Sequence, residues 1–189
     1  LTASRAAYAF AKLKFPGRDK IFLCYLSTMM IPWYVILIPQ FFIMQKLHLY
    51  DTHWSLILTG AFNVFSVFLL RQNMLSIPDS LAEAAKIEGC GPWGIYVKII
   101  LPLCKTSLAT LVVLTFNSVW NDYMGPMIYL DTDSKKTIQL GLATFRRQFD
   151  TDYGAIMAGT TLSLIPVVIL YAVAQKYIVE GIAYAGVKG

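Results

Sequence analysis

Charge-free stretches dominate the chain. Residues 21–44 hold 24 positions without a formal charge, which as a helix would be about 36 Å long, enough to cross a bilayer with some tilt. Pro32 and Pro39 interrupt this run, a feature membrane helices tolerate where neighbours satisfy the freed carbonyls. A second run, 54–70, is just at spanning length and extends to Met74 if Arg71 snorkels. A third, 99–121, has Lys105 near its start, and a fourth, 153–175, contains Pro166. The apolar repeat from Ala3 to Ala11 reads as the last turns of an earlier helix, ending at the basic cluster before Phe15-Pro16-Gly17. The pattern predicts an all-α, polytopic membrane protein forming one transmembrane domain over 1–189, with four full spans plus the end of an earlier one.

Composition agrees. Only 14% of residues are charged, against about a quarter in a soluble domain. The net charge of +5 does not indicate nucleic acid, because no basic face is interleaved with aromatics. Its distribution sets orientation. Segments 1–20, 71–105 and 176–189 hold eleven Lys and Arg, whereas 46–53 and 122–152 hold five. The basic excess assigns the first set, and the carboxyl end, to the cytoplasm. The external connection 122–152 balances Asp131, Asp133, Asp150 and Asp152 against Lys135, Lys136, Arg146 and Arg147. Within it Ile138, Leu142, Phe145 and Phe149 fall on one helical face, predicting an amphipathic helix on the membrane surface or against a partner.

The connection 79–102 is too polar for a bilayer and rich in helix punctuation. Ser80 and Glu83 have capping-box spacing, and Gly89 stands where a helix of about ten residues would stop. Pro92 is suited to open a second helix running toward Pro102. A helix so short is marginal alone, so a well-punctuated one beside a membrane suggests a docking surface.

Candidate chemistry is sparse. No phosphate-binding glycine loop, nucleophile elbow or H-E-x-x-H pattern occurs. Cys24, Cys90 and Cys104 lack paired or metal-ligand spacing, and His48 and His53 stand in a connector. No cofactor or metal is expected. The polar inventory of the spans is Asn63, Asn117, Ser118, Asn121 and Asp122, with Thr160, Thr161 and Ser163 in the last. Asn117, Trp120 and Asn121 lie three or four apart and share one side of a helix. Such groups either bond between helices or line a translocation pathway, and both readings stay open. Asp122 sits at the outer end of its span, where solvation suffices.

Glu83-Ala84-Ala85, three positions, Gly89, nine positions, Ile99, one position and Leu101-Pro102 together resemble the E-A-A-x3-G-x9-I-x-L-P signature of membrane subunits of binding-protein-dependent ABC importers. AYAFAKLKFPGRD, MMIPWYVILIP, FLLRQNMLSIPDSLAEAAKIEG, FNSVWNDYMGP and the closing AGVKG are similar to one branch, the carbohydrate permeases of the maltose-transport type. The resemblance implies six helices in the full-length protein, one and most of another lying upstream of Leu1. It implies that 79–102 forms cytoplasmic coupling helices seated on an ATPase dimer. Glu83 would meet a basic residue there, Ala84 and Ala85 would allow close approach, and Gly89 would permit the turn. Ile99, Leu101 and Pro102 would anchor the loop to the next span.

A second, different permease, an extracytoplasmic sugar-binding protein touching 122–152, and a sugar substrate are implied likewise. The tail from Tyr184 would reach the ATPase. The subunit itself would be non-catalytic, in the membrane of a prokaryotic cell. A gradient-driven transporter would need ionisable residues mid-span, and only Lys105, near an end, comes close. A membrane enzyme would need a site constellation, and none is present.

Overall fold

A computed structural model describes residues 1–145 and 152–186, with side chains to Gln175. The helices are α1 (Thr2–Lys12), α2 (Arg18–Ser27), α3 (Trp33–Lys46), α4 (His53–Gly60), α5 (Val64–Leu75) and α6 (Asp79–Ile87). They continue as α7 (Pro92–Ile95), α8 (Leu101–Leu103), α9 (Lys105–Trp120), α10 (Met124–Tyr129), α11 (Ile138–Ala143) and α12 (Tyr153–Gly186). A π-helical stretch, Tyr96–Ile100, joins α7 to α8. No strand occurs among the described residues.

Three of the four expected spans are bent. Residues 21–44 do not form one helix: α2 passes through a 3₁₀ turn, Thr28–Met30, and α3 leaves at 100°. The cause is Pro32, which has no N–H to continue the ladder and excludes helical geometry from the residue before it. Ile31 is accordingly extended, at φ −82° and ψ 116°. Pro39 lies inside α3 without ending it. The second run breaks by 40° between Gly60 and Val64, where the Asn63 side chain accepts from Ser66 N at 2.8 Å and caps α5. The third is bent by 77° at Cys104, and α9 begins at Lys105. Among the described residues, only Tyr153–Gln175 is a single helix long and apolar enough to cross a membrane, and up to four crossings are reached if each bent pair counts as one. Around it α12 continues to Gly186, well past the expected end of the span.

The chain divides into two compact units and passes between them four times, after Trp33, Gly60, Leu111 and Gln175. Each crossing falls within one of the four apolar runs or at its end. The first unit comprises Leu1–Trp33, Ala61–Leu111 and Lys176–Gly189. Its core is built on α1 against α5, where Ala7 and Ala11 leave room beside Val67, Leu70 and Met74. Ile95, Tyr96, Ile100 and Cys104 complete it.

Arg71 is held by groups of the first unit. Its guanidinium donates to Phe10 O and, at 3.1 Å, to Asp19, and lies 4.2 Å above the Phe22 ring. Arg18 also bonds Asp19, and these two cations hold that carboxyl below its usual range.

The second unit comprises Tyr34–Gly60 and Val112–Gln175. Phe41 packs edge-on to Tyr50 and stacks with Tyr129. The expected amphipathic helix over 138–149 is shorter: α11 ends at Ala143 and is followed by a turn. Leu140 is its buried residue, while Ile138 and Phe145 are exposed and Leu142 half-buried. Phe149 lies outside the described residues. On α12, Leu162, Ile165, Val168 and Ile169 are all at least half exposed. An apolar surface of this extent requires a lipid or protein cover.

Candidate functional site

The loop between α5 and α9 belongs to the first unit and is firmly based. α6 begins directly after Pro78, whose backbone (φ −58°, ψ 134°) starts the helix without a side-chain cap. The expected Ser80–Glu83 capping box therefore does not form. Ser80 stands inside the first turn, because Pro78 occupies the cap position. Asp79 becomes the first helical residue, where a carboxylate complements the helix dipole, and Lys12 donates to it at 2.6 Å. This bond, first among the causes, holds the Asp79 carboxyl below its ordinary range.

The stop at Gly89 is formed as expected. Gly89 has φ +82°, Cys90 N donates to Ala85 O at 2.9 Å, and Gly89 N donates to Lys86 O at 3.0 Å. These are the paired bonds of a Schellman motif. A Cβ at Gly89 would meet nothing within 4 Å, so backbone conformation alone calls for glycine. Pro92 opens α7 as its first residue, after Gly91. The π-helical stretch sits just ahead of Pro102, which has no N–H for a regular turn.

The signature residues divide by burial. Glu83, Ala84 and Gly89 face outward. Ala85 is buried in the core cluster, so its small size serves the chain's own packing, and of the two alanines only Ala84 is open to a partner. Ile99 and Leu101 are partly buried against the core, whereas Pro102 is exposed. The deep anchors are Ile95, Tyr96 and Ile100, of which the signature contains none. Ile87, 88% exposed, lies one turn beyond Glu83 and Ala84 and extends their face with an apolar side chain. Its signal in the sequence was an isoleucine at i+4 from Glu83.

A further set of contacts links the loop to α1. Ser4 Oγ and Tyr96 Oη are 2.8 Å apart, Tyr8 Oη donates to Pro92 O at 3.0 Å, and Lys12 Nζ donates to Ile77 O at 2.6 Å. Arg5 lies 5.4 Å over the Trp93 ring.

In the second unit the polar triad of α9 is already engaged. Trp120 Nε1 donates to Ser163 O of α12 at 3.0 Å, and its ring stacks on Phe116. Asn121 Nδ2 donates to Asn117 O at 2.8 Å and lies 3.0 Å from Asn117 Oδ1, while Gln139 Nε2 reaches Asn121 Oδ1 at 3.4 Å. Trp120 thus bonds between helices, whereas the two asparagines bond chiefly to each other and remain exposed. A groove of about 520 Å³ adjoins them, lined by Tyr123, Gln139, Leu142, Ala143, Ile156 and Thr160. Asp122 is more than solvated: its Oδ1 accepts from Gly125 N at 3.2 Å.

A strong polar knot at Asp51 was not anticipated. Asp51 has φ +55° and accepts from Asp131 N, Thr132 N, Thr132 Oγ1 and Lys135 Nζ. Lys135, the largest cause, and the Thr132 and Asp131 bonds press the Asp51 carboxyl far below the ordinary carboxylate range. A carboxyl so depressed contributes fully above about pH 4 and loses its contribution as pH falls from there through the lowered folded value. Limited proteolysis of detergent-solubilised protein should therefore leave 131–136 intact at neutral pH and cut it only in strong acid. Asp51→Asn should be cut faster at neutral pH as well. Equal cutting of both proteins at neutral pH would mean that the knot does not hold this segment.

Comparison with known proteins connects these features. A family model described as the binding-protein-dependent transport system inner membrane component matches residues 3–184. The arabinooligosaccharides transport system permease protein AraQ of Halalkalibacterium halodurans is 36% identical over 189 residues, covering all of this chain and 68% of that protein. The probable ABC transporter permease protein YurM of Bacillus subtilis is 39% identical over 186 residues, covering 97% of this chain and 62% of that protein. The chain thus spans between 62% and 68% of the length of these two relatives. A crystal structure of a bacterial ABC transporter involved in the import of the acidic polysaccharide alginate superposes with a TM-score of 0.83 at 29% identity, covering 93% of this chain and 69% of that one. The all-helical fold, the exposed apolar helices and the match over nearly the whole chain lead to one assignment: the protein belongs to the family of binding-protein-dependent transport system inner membrane components.

Proposed function

We propose that the chain is a permease subunit of an ATP-driven, binding-protein-dependent sugar importer, forming half of its translocation pathway. The observation that carries this reading is the α6–α7 loop. It presents Glu83, Ala84 and Ile87 outward from a helix closed by a Schellman turn and anchored through Ile95, Tyr96 and Ile100. A rigid loop with a carboxylate, a small residue and an open isoleucine on one face suits docking into a cleft of a cytoplasmic ATPase dimer. Hydrolysis belongs to that partner. The names of the relatives favour a carbohydrate as solute, arabinooligosaccharides for one and alginate for another.

Each bent helix pair serves as one crossing, and with α12 makes four. The segments given to the cytoplasm by their basic residues all fall in the first unit, and those given to the outside all fall in the second. The external side then carries the Asp51 knot and residues 122–152, which receive an extracytoplasmic sugar-binding protein. A second, different permease completes the pathway. Asn117, Asn121 and the adjoining groove line the outer part of that path, with Trp120 fixing α9 against α12.

The test is a cysteine at Ala84 in the importer assembled with its own partner subunits. A short thiol–thiol crosslinker should join it to a cysteine in the ATPase cleft, and ATP should change the yield. A cysteine in place of the buried Ala85 should react far less. Efficient crosslinking from position 85 with none from 84 would overturn the docking face described.

A further inference from the structure

α1 touches the coupling loop at three points spaced by one turn. Ser4, Tyr8 and Lys12 stand at i, i+4 and i+8, one stripe of the helix about 12 Å long. Ser4 bonds the Tyr96 hydroxyl, Tyr8 bonds the carbonyl of Pro92, and Lys12 bonds both the carbonyl of Ile77 and the carboxylate of Asp79. The contacts therefore bracket α6: Lys12 holds its start, and Tyr8 holds the first residue of α7 beyond its closing turn. The Lys12 side chain is only 6% exposed although Asp79 is 74% exposed. A buried ammonium requires partners of good geometry, and both Lys12 bonds are 2.6 Å long. α1 also packs through Ala7 and Ala11 in the core shared with α5, so the stripe joins the loop to the body of the first unit.

We propose that Lys12 and Tyr8 are positioning residues for energy coupling: the Lys12–Asp79 pair and the Tyr8–Pro92 bond make α1 the strut through which displacement of the docked loop reaches the membrane segments. This rests on the docking role proposed for residues 79–102. Neither residue belongs to the signature, and neither side chain lies on the face offered to the ATPase. The device works because helices are stiff along their axes, whereas a loop held only by apolar packing can slide. Two charge-assisted bonds at the start of α6 and one hydrogen bond beyond its end fix both position and tilt.

The experiment uses the complete importer in proteoliposomes, with Lys12→Met, Lys12→Arg, Asp79→Asn and the double variant Lys12→Met/Asp79→Asn. Solute uptake per ATP hydrolysed is measured on assembled complexes, together with crosslinking from a cysteine at Ala84 to the ATPase. Lys12→Met and Asp79→Asn should each lower uptake per ATP by about tenfold while the crosslink persists. The double variant should be no worse than Lys12→Met alone, and Lys12→Arg should recover much of the coupling. A merely structural role would reduce the amount of assembled complex and leave uptake per ATP unchanged. Should Lys12→Met fail to assemble, Asp79→Asn carries the test, because the buried Lys12 ammonium then keeps its bond to Ile77 O and can still donate to the amide oxygen put in place of the carboxylate. Unaltered uptake per ATP in Asp79→Asn, with the crosslink intact, overturns the strut and leaves the docking role standing. Absence of the crosslink in the otherwise unchanged importer overturns the docking role itself.

Discussion

Glu83→Lys is expected to abolish solute uptake while leaving the subunit folded, in the membrane and at normal abundance. Glu83 is exposed on α6, so the fold has little stake in its charge. The capping role that its spacing to Ser80 suggested is not used. The proposed docking gives the carboxylate an external partner of opposite charge. Removing one member of a desolvated interfacial charge pair costs about 2–5 kcal/mol, and reversal adds repulsion. The docking equilibrium should therefore weaken by roughly 30-fold or more. Uptake and ATPase co-purification are the measurements, and a reversed charge on the ATPase residue should restore both. Normal uptake with normal ATPase recovery in Glu83→Lys would remove the basis for a charge contact at this position.

Gly89→Pro should be at least as damaging, by a different route. Gly89 has φ +82°, whereas proline is confined near −65°. Proline would also delete the Gly89 N–H bonded to Lys86 O. The Schellman turn cannot survive both losses, and α7 would leave α6 in another direction. Gly89→Ala provides the calibration: nothing crowds its Cβ, so its cost is the left-handed backbone alone, about 1–2 kcal/mol. The expected order of uptake is wild type, then Gly89→Ala, then Gly89→Pro near background. If alanine and proline reduce uptake equally, backbone conformation is not what glycine supplies here. Amide-exchange protection over 79–95, read alongside uptake, should fall in the same order.

The elements that were legible beforehand are those governed by neighbours in the chain. Gly89 as a helix stop and Pro92 as a helix start follow from dihedral preferences of single residues, and both stand in the structure. The charge-free runs are legible because length and apolarity are additive along a helix. Prolines were legible only in part. Pro32 and Pro39 look alike in the sequence, yet one accompanies a 100° bend and the other sits within α3. The capping box at Ser80 and Glu83 was a sound local pattern overruled by another local fact, Pro78 one position before Asp79.

The candidate site divides in the same way. Glu83, Ala84 and Gly89 are open at the surface as their pattern suggested, while Ala85 turned inward and the anchoring passed to Ile95, Tyr96 and Ile100. Burial depends on what packs against a helix face, which the spacing of residues on that face does not contain.

By itself, the sequence determined a helical membrane subunit, the approximate apolar runs, the uneven distribution of its charges, and a punctuated loop with a recognisable signature. These depend on interactions within a few residues, or on sums along the chain. Only the tertiary structure decided that Lys12 is paired with Asp79, 67 positions away, and Lys135 with Asp51, 84 positions away. Charges are numerous and choose partners by distance in space. That distance exists only once α1 has packed against α5 and the connector at Asp51 has met the segment 131–135.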